Sequence, residues 1–397
     1  MIVLAGADVV LPDRIVPKGS VVVDGDRILA VERRVIDAPP GATRVDVSGG
    51  TILPGFIDVH VHGVLGIDVL DGGGAVADVA ARLPAYGVTA FCPTSVACTP
   101  AGLLDMLRGI KHAREEARAS SARILSAHLE SNFINPDYKG AQPTRCLRTL
   151  HGAEGEFTGR EILDAITAHP HEVGIVTIAP ELDGGLDLVR TLTAAGRIVA
   201  VGHSGATYEE TREAIAAGVR HATHLFNRMT PMTHRAPGVP GAVLESDEVT
   251  AELIADGFHV HPALMQLAIR AKGLDRIMAI TDGTAGSGLP AGTITHLGGE
   301  PITVTGRTAV LADGTIAGSV LTMDAAFRTL VQRLGLSMVD AARLCSTTPA
   351  RQLGLADCGR IVAGAAADLV VLDEAQRVRQ TYLRGVRWRN PVPDRLV

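Results

Sequence analysis

Short apolar runs alternate with amphipathic stretches from about Gly55 to Leu353. Runs rich in Val, Ile and Ala begin at Phe56, Val88, Arg123, Val173, Ile198, Ala222, Ala251 and Ile277. Their near-continuous apolar character suits strands of a parallel sheet buried on both faces. Between them a 3.6-residue periodicity predicts helices over Ala75–Tyr86, Pro100–Arg118, Arg160–Ala168, Gly185–Ala195, Tyr208–Ala217 and Pro262–Lys272. Closing helices are expected around Met323–Leu334 and Met338–Gln352. Eight strand–helix units in this length predict an α/β fold, a (β/α)8 TIM-type barrel over residues 55–353. A Gly-rich, β-forming stretch near 293–320, with Ala312-Asp313-Gly314-Thr315, reads as a β insertion before the last helices.

The pattern changes at both ends. Val9-Val10-Leu11 and Ser20–Val31 are strand-like, with a hairpin signal at Asp24-Gly25, and Gly364–Leu372 and Gln380–Arg387 are strand-like again. Neither end can bury a sheet face alone. Residues 1–54 and 354–397 are therefore expected to join as a small β-sandwich beside the barrel.

Composition narrows the class. Of 397 residues, 46% are hydrophobic but only 3% aromatic, so aliphatic side chains must fill the core. A net charge of −6 argues against nucleic-acid or anionic-membrane partners. Five cysteines without a Cys-x-x-Cys pair indicate neither a disulfide framework nor a thiolate zinc site, and fit a reducing cytoplasm. The N-terminus lacks signal-peptide character, and the sequence has no apolar run long enough to span a bilayer.

Chemistry gathers at strand ends. His60 and His62 sit two residues apart, on one face of the first strand. Glu130, His203 and His224 end three further strands, and Glu-His-His is a donor set suited to a divalent cation, above all zinc. His60 and His62 add a second position, giving one or two ions. Asp282 ends the eighth strand and is placed to act as general base and then general acid. The plainer readings are a hydrogen-bonded histidine pair and, for Asp282 before Gly283, a turn residue.

The chain resembles the N-acetylglucosamine-6-phosphate deacetylases of the amidohydrolase superfamily along nearly its whole length. The resemblance is carried by Leu53-Pro54-Gly55-Phe56-Ile57-Asp58-Val59-His60, His128-Leu129-Glu130, Lys139-Gly140-Ala141, Gly202-His203-Ser204, Thr223-His224-Leu225-Phe226-Asn227, Asp256-Gly257-Phe258-His259, Thr281-Asp282 and Gly318-Ser319. It implies a barrel with a small β-sandwich, metal ligation by Glu130, His203 and His224, and Asp282 as catalytic acid and base. It further implies that His259 polarises the substrate carbonyl, that Asn227 and Arg235 hold a sugar phosphate, and that the protein is a homodimer acting on an N-acetylated amino sugar.

Several substrate positions depart from the family pattern. Gln142 stands where a His usually follows Lys-Gly-Ala, Arg228 replaces a small residue, and Gln266 replaces an Arg that reaches the neighbouring subunit's substrate. Three readings follow: deacetylation of N-acetylglucosamine 6-phosphate or a related, even unphosphorylated, sugar; hydrolysis of a non-sugar amide; or a catalytically silent binding protein. Of the lysines Lys18, Lys111, Lys139 and Lys272, none ends a predicted barrel strand, which disfavours a carboxylated-lysine metal bridge.

Overall fold

The computed structural model describes residues 1–116, 120–152 and 155–390. Among the described residues, eight parallel strands form the barrel wall. They are β1 (Phe56–Val61), β2 (Val88–Ser95), β3 (Ala127–Glu130), β4 (Val173–Ile178), β5 (Ile198–Val201), β6 (Val219–Ala222), β7 (Thr250–Ile254) and β8 (Ile277–Ile280). Ladders join each strand to the next from β1 to β8. The cylinder closes just beyond the ends of β8 and β1, through a bridge between Val61 and Gly283. There Asp282 N–H donates to His60 O at 3.1 Å, and His62 and Gly63 N–H donate to Gly283 O at 2.8 and 3.0 Å.

The expected elements are present with informative differences. The third strand is broken: Arg123–Ile124 pairs with β2, and β3 resumes at Ala127. The sixth lies earlier than its apolar pattern suggested, at Val219–Ala222, so His224 falls in the turn after it. Helices over Gly159–Ala168 and Tyr208–Ala217 begin at capping boxes, Thr158 with Glu161 and Thr207 with Glu210. The second helix runs over Pro100–Glu115, and Arg118, its expected end, lies outside the described residues.

A helix over Gly238–Glu245 was not expected, because Gly238, Pro240 and Gly241 obscure its pattern. Its last turn is held from outside by Lys272, whose Nζ donates to Val243 O at 2.9 Å and also to Ser246 O. The two closing helices each pass into a π turn, at Thr329–Arg333 and Arg343–Thr347.

Among the described residues, strands from both chain ends form one sheet of eight, in which Thr51–Pro54 runs antiparallel to Leu369–Leu372. The strand Ile2–Val10 pairs with Thr43–Asp46 by its first half and with Thr51–Pro54 by its second. Bulges near Ala7 separate the halves, so the sheet splits into the two layers of a sandwich around Leu4, Val9, Ile52, Leu369, Val371 and Tyr382. The C-terminal stretch 354–397 includes residues 391–397, which lie outside the described residues. The insertion is a three-stranded antiparallel sheet, Ile294–Leu297, Glu300–Val304 and Ala309–Val310, packed on Val96 through Leu297, Ile302 and Ala309. Among the described residues, no helix is long and apolar enough to cross a membrane.

Candidate active site

The C-terminal ends of the strands bring the candidate donors together in two buried groups. In the first, Glu130 Oε1 lies 2.8 Å from His203 Nε2 and 2.7 Å from His224 Nε2, and the two imidazole nitrogens are 3.0 Å apart. In the second, His60 Nε2 and His62 Nε2 are 3.2 Å apart and stand 3.3 and 3.2 Å from Asp282 Oδ1. Glu130 adjoins both groups, with Oε1 3.9 Å from His60 and Oε2 3.8 Å from His62. Asp282 thus faces imidazoles instead of capping a turn.

The backbone at these positions is forced. His203, His224 and Asp282 all have left-handed φ, at 48°, 30° and 51°. This region costs a non-glycine residue ~1–3 kcal/mol, and such strain concentrates at functional sites. The surroundings hold it in place. Glu181 takes Gly205 N–H at 2.6 Å and Ser204 Oγ–H at 2.8 Å beyond His203, while Ser319 N–H donates to Asp282 O at 2.7 Å. That last approach requires Gly318, where a Cβ would stand 2.9 Å from Asp282 O.

The outer ring nitrogens decide what the inner ones can do. Nδ1 of His62 faces Thr94 O at 3.0 Å and Nδ1 of His203 faces Tyr138 O at 2.8 Å. A carbonyl only accepts, so both Nδ1 atoms carry a proton, and each ring turns its Nε2 inward as the atom that could hold a cation. His60 does the same, with Nδ1 3.0 Å from a Glu252 oxygen. Nitrogens and carboxylate oxygens this close repel unless a proton or a cation lies among them. Two such groups of nitrogen and oxygen donors fit divalent cations.

Without a cation, the surplus of carboxylates acts on the imidazoles. Burial alone would lower the His60 pKa, but Glu252 and Asp282 reverse this and raise it to about 10, so a second proton takes up the charge that a cation would otherwise supply. Burial would raise Glu130 and Asp282; His203 chiefly holds the first well below the usual carboxylate range, and His60 with His62 hold the second low. His128 goes the other way, pushed by burial to about 3.

A cavity of about 300 Å³ opens onto both groups. His62, Glu130, His203, His224 and Asp282 lie at its base, and Gln142, Asn227, Arg228 and His259 line it as well. His259 Nδ1 is held by Asp256 Oδ2 at 2.6 Å, and its buried Nε2 has no hydrogen-bond partner among the described residues. Gln142 donates to Glu130 Oε2 and accepts the Ala97 N–H at 2.7 Å. Asn227 donates to its own turn, at His224 O, 3.2 Å away. Arg228 is exposed at the rim, its side chain lying over Gly140. Two residues stand outside the lining: Arg235 is exposed on the loop before the helix at Gly238, and Gln266 donates to Leu334 O at 3.1 Å.

Sequence reasoning missed Glu252, Asp256 as the partner of His259, and the apolar wall of Phe226, Ile254, Leu297 and Ile316. For Glu252 a signal existed: it is a lone charge inside Thr250–Ile254, a strand otherwise suited to full burial. The wall residues come from separate loops, and no local pattern marks them.

A barrel whose strand ends converge histidines and carboxylates on one cavity defines a metal-dependent hydrolase. Residues 51–387 match the amidohydrolase family. A Bacillus subtilis N-acetylglucosamine-6-phosphate deacetylase is 34% identical over 385 residues, covering 95% of this chain and 94% of its own. An Escherichia coli N-acetylgalactosamine-6-phosphate deacetylase is 37% identical, covering 84% and 86%. The crystal structure of a Mycobacterium smegmatis N-acetyl-D-glucosamine-6-phosphate deacetylase superposes with a TM-score of 0.87 at 33% identity, covering 98% of this chain and 100% of the other. The chain belongs to the amidohydrolase family, and within it to the N-acetylglucosamine-6-phosphate deacetylase group. It is a hydrolase of carbon–nitrogen amide bonds.

Proposed function

We propose that this enzyme hydrolyses the N-acetyl amide of a hexosamine 6-phosphate, by default N-acetylglucosamine 6-phosphate to glucosamine 6-phosphate and acetate. The observation that carries the reading is the pair of donor groups facing one cavity with Asp282 and the free Nε2 of His259. Glu130, His203 and His224 would hold one zinc ion, and His60, His62 and Asp282 a second. When bound, such ions lower the pKa of water and polarise a carbonyl.

The chain's own residues do the rest. The Asp282 carboxylate, kept ionised by its histidine neighbours, accepts the proton of the attacking water and passes it to the departing amine nitrogen. His259, its Nδ1 fixed by Asp256, presents Nε2 to the acetyl oxygen, where negative charge develops. Arg228 and Asn227 at the rim receive the phosphate, and Arg235 and Gln266 act from outside the cavity of their own chain.

The reading also includes a homodimer and a cytoplasmic location. Exposed Leu264 and Leu267, one turn apart on the helix Pro262–Lys272, support the first, and five free cysteines the second. Residues 1–54 with 354–397 are taken as one unit and 55–353 as the other.

Relatives named for the gluco and galacto sugars are similarly distant, so the deciding assay includes both. Acetate release is measured from zinc-loaded enzyme with both 6-phosphates, their unphosphorylated forms and simple N-acetyl amides. A clear preference for one hexosamine 6-phosphate is expected. Faster turnover of a non-sugar amide would overturn the reading.

A further inference from the structure

Glu252 lies on β7 with no exposure to solvent. Its carboxylate reaches both donor groups. Oε2 stands 3.0 Å from His60 Nδ1 and accepts the His224 backbone N–H at 3.0 Å. Oε1 stands 2.8 Å from His221 Nε2 and 3.5 Å from His128 Nδ1. The Glu252 carbonyl also accepts Leu225 N–H at 2.9 Å, one residue beyond His224.

His60 and His224 belong to different groups, and among the described residues they meet no common carboxylate on the outer side except this one. On His60 the contact sets the ring: an ionised carboxylate accepts, so Nδ1 donates and Nε2 is turned toward His62 and Asp282. On His224 the contact sets the backbone, in a turn whose left-handed φ would otherwise relax. An isolated buried carboxylate is costly, and an apolar residue of similar size would suffice to fill space. The three hydrogen bonds to the Glu252 carboxylate, from His60, His221 and the His224 backbone, point to a task that packing alone does not need.

We propose that Glu252 is a positioning residue that couples the two cation groups, orienting the His60 ring in one and pinning the His224 turn in the other. The inference rests on the two-ion reading of the site and adds a residue outside it. Outer partners of ligating histidines typically govern metal affinity by about 10–100-fold. Removing this carboxylate weakens the His60 group most, because there it touches the ring itself.

The test uses metal-free full-length protein titrated with Zn²⁺ against a chromophoric chelator and, separately, with Co²⁺ while its visible absorption is followed. Glu252→Gln keeps the size and one acceptor oxygen but loses the charge. Glu252→Asp keeps the charge but withdraws it by one methylene. Thermal unfolding of each metal-free variant verifies that it is folded, and Glu252→Asp serves if Glu252→Gln does not fold. The expected result is that the second equivalent binds about 10–100-fold more weakly, the first is less affected, and the Co²⁺ spectrum of the second site changes. Wild-type affinities and spectra in a folded variant would overturn the inference and leave the two-ion reading intact. Failure of the wild type to bind two equivalents would overturn both.

Discussion

Gln142 donates its amide to Oε2 of Glu130, the carboxylate oxygen that neither His203 nor His224 touches. Its own oxygen is held by the Ala97 N–H, so the amide has one orientation and Glu130 is divided: Oε1 for the histidines, Oε2 for Gln142. Gln142→Ala frees Oε2 and leaves the buried Ala97 N–H unpaired. Zinc affinity is expected to fall by about 10-fold or more, read by competition with a chelator. Unchanged affinity would reduce Gln142 to a wall of the cavity.

The Glu130 group predicts metal dependence at defined residues. Chelation should abolish hydrolysis, and His203→Ala and His224→Ala should each empty the first position. Elemental analysis of the purified variants checks this, and wild-type metal content in both would refute the assignment.

Asp282 faces both imidazoles of the second group and the cavity at once. Asp282→Asn should lower kcat by ~10²–10⁴-fold, the usual worth of a positioned acid/base group, with the unfolding temperature little changed. Turnover within a few-fold of wild type would place the proton transfer elsewhere.

Among the described residues, Arg228 is the cation that this chain brings to the cavity rim. A charge-assisted bond contributes roughly 1.5–3 kcal/mol. Arg228→Ala should therefore raise KM for the 6-phosphate by about 10–100-fold and leave that for the unphosphorylated sugar nearly unchanged. Equal effects on the two substrates would mean that Arg228 does not meet the phosphate.

A prediction about pH concerns stability. Burial, with Arg276 nearby, lowers Lys272 from its usual 10.5 to about 8. Between those values the unfolded chain carries a proton that the folded one has released, so the contribution of Lys272 grows with rising pH and is lost as pH falls toward 8. Lys272→Met also leaves Val243 O and Ser246 O without this donor, at a cost of about 1–3 kcal/mol. Urea unfolding across this window should show wild type gaining on the variant as pH rises. Parallel stability profiles would contradict the shift.

The barrel was legible because its strands are apolar on both faces and its helices start at strong signals such as Thr207 and Pro262. The helix at Gly238 was illegible for the opposite reason, since three helix-breaking residues are tolerated once Lys272 and the neighbouring helices supply what propensity does not. His60, His62, Glu130, His203, His224 and Asp282 could be picked out because each follows or ends an apolar run. The placement of His224 in a turn could not, because the carboxylate that takes its N–H belongs to Glu252, 28 residues away in sequence. Glu252 itself acts through contacts with β1, β3 and β6, which only the closed cylinder creates.

That closure has a consequence for how the molecule breathes. His60 and His62 stand on the first strand and just past it, Asp282 on the far side of the join, and few backbone bonds cross between them. A cation gripped by all three would act as a clasp, tying the first stave of the cylinder to the last. Stripping the metal should thus loosen one seam in preference to the rest. Amide exchange should quicken at His62, Gly63 and Asp282, whose N–H groups span that join, while the ladder between β4 and β5 exchanges as slowly as before.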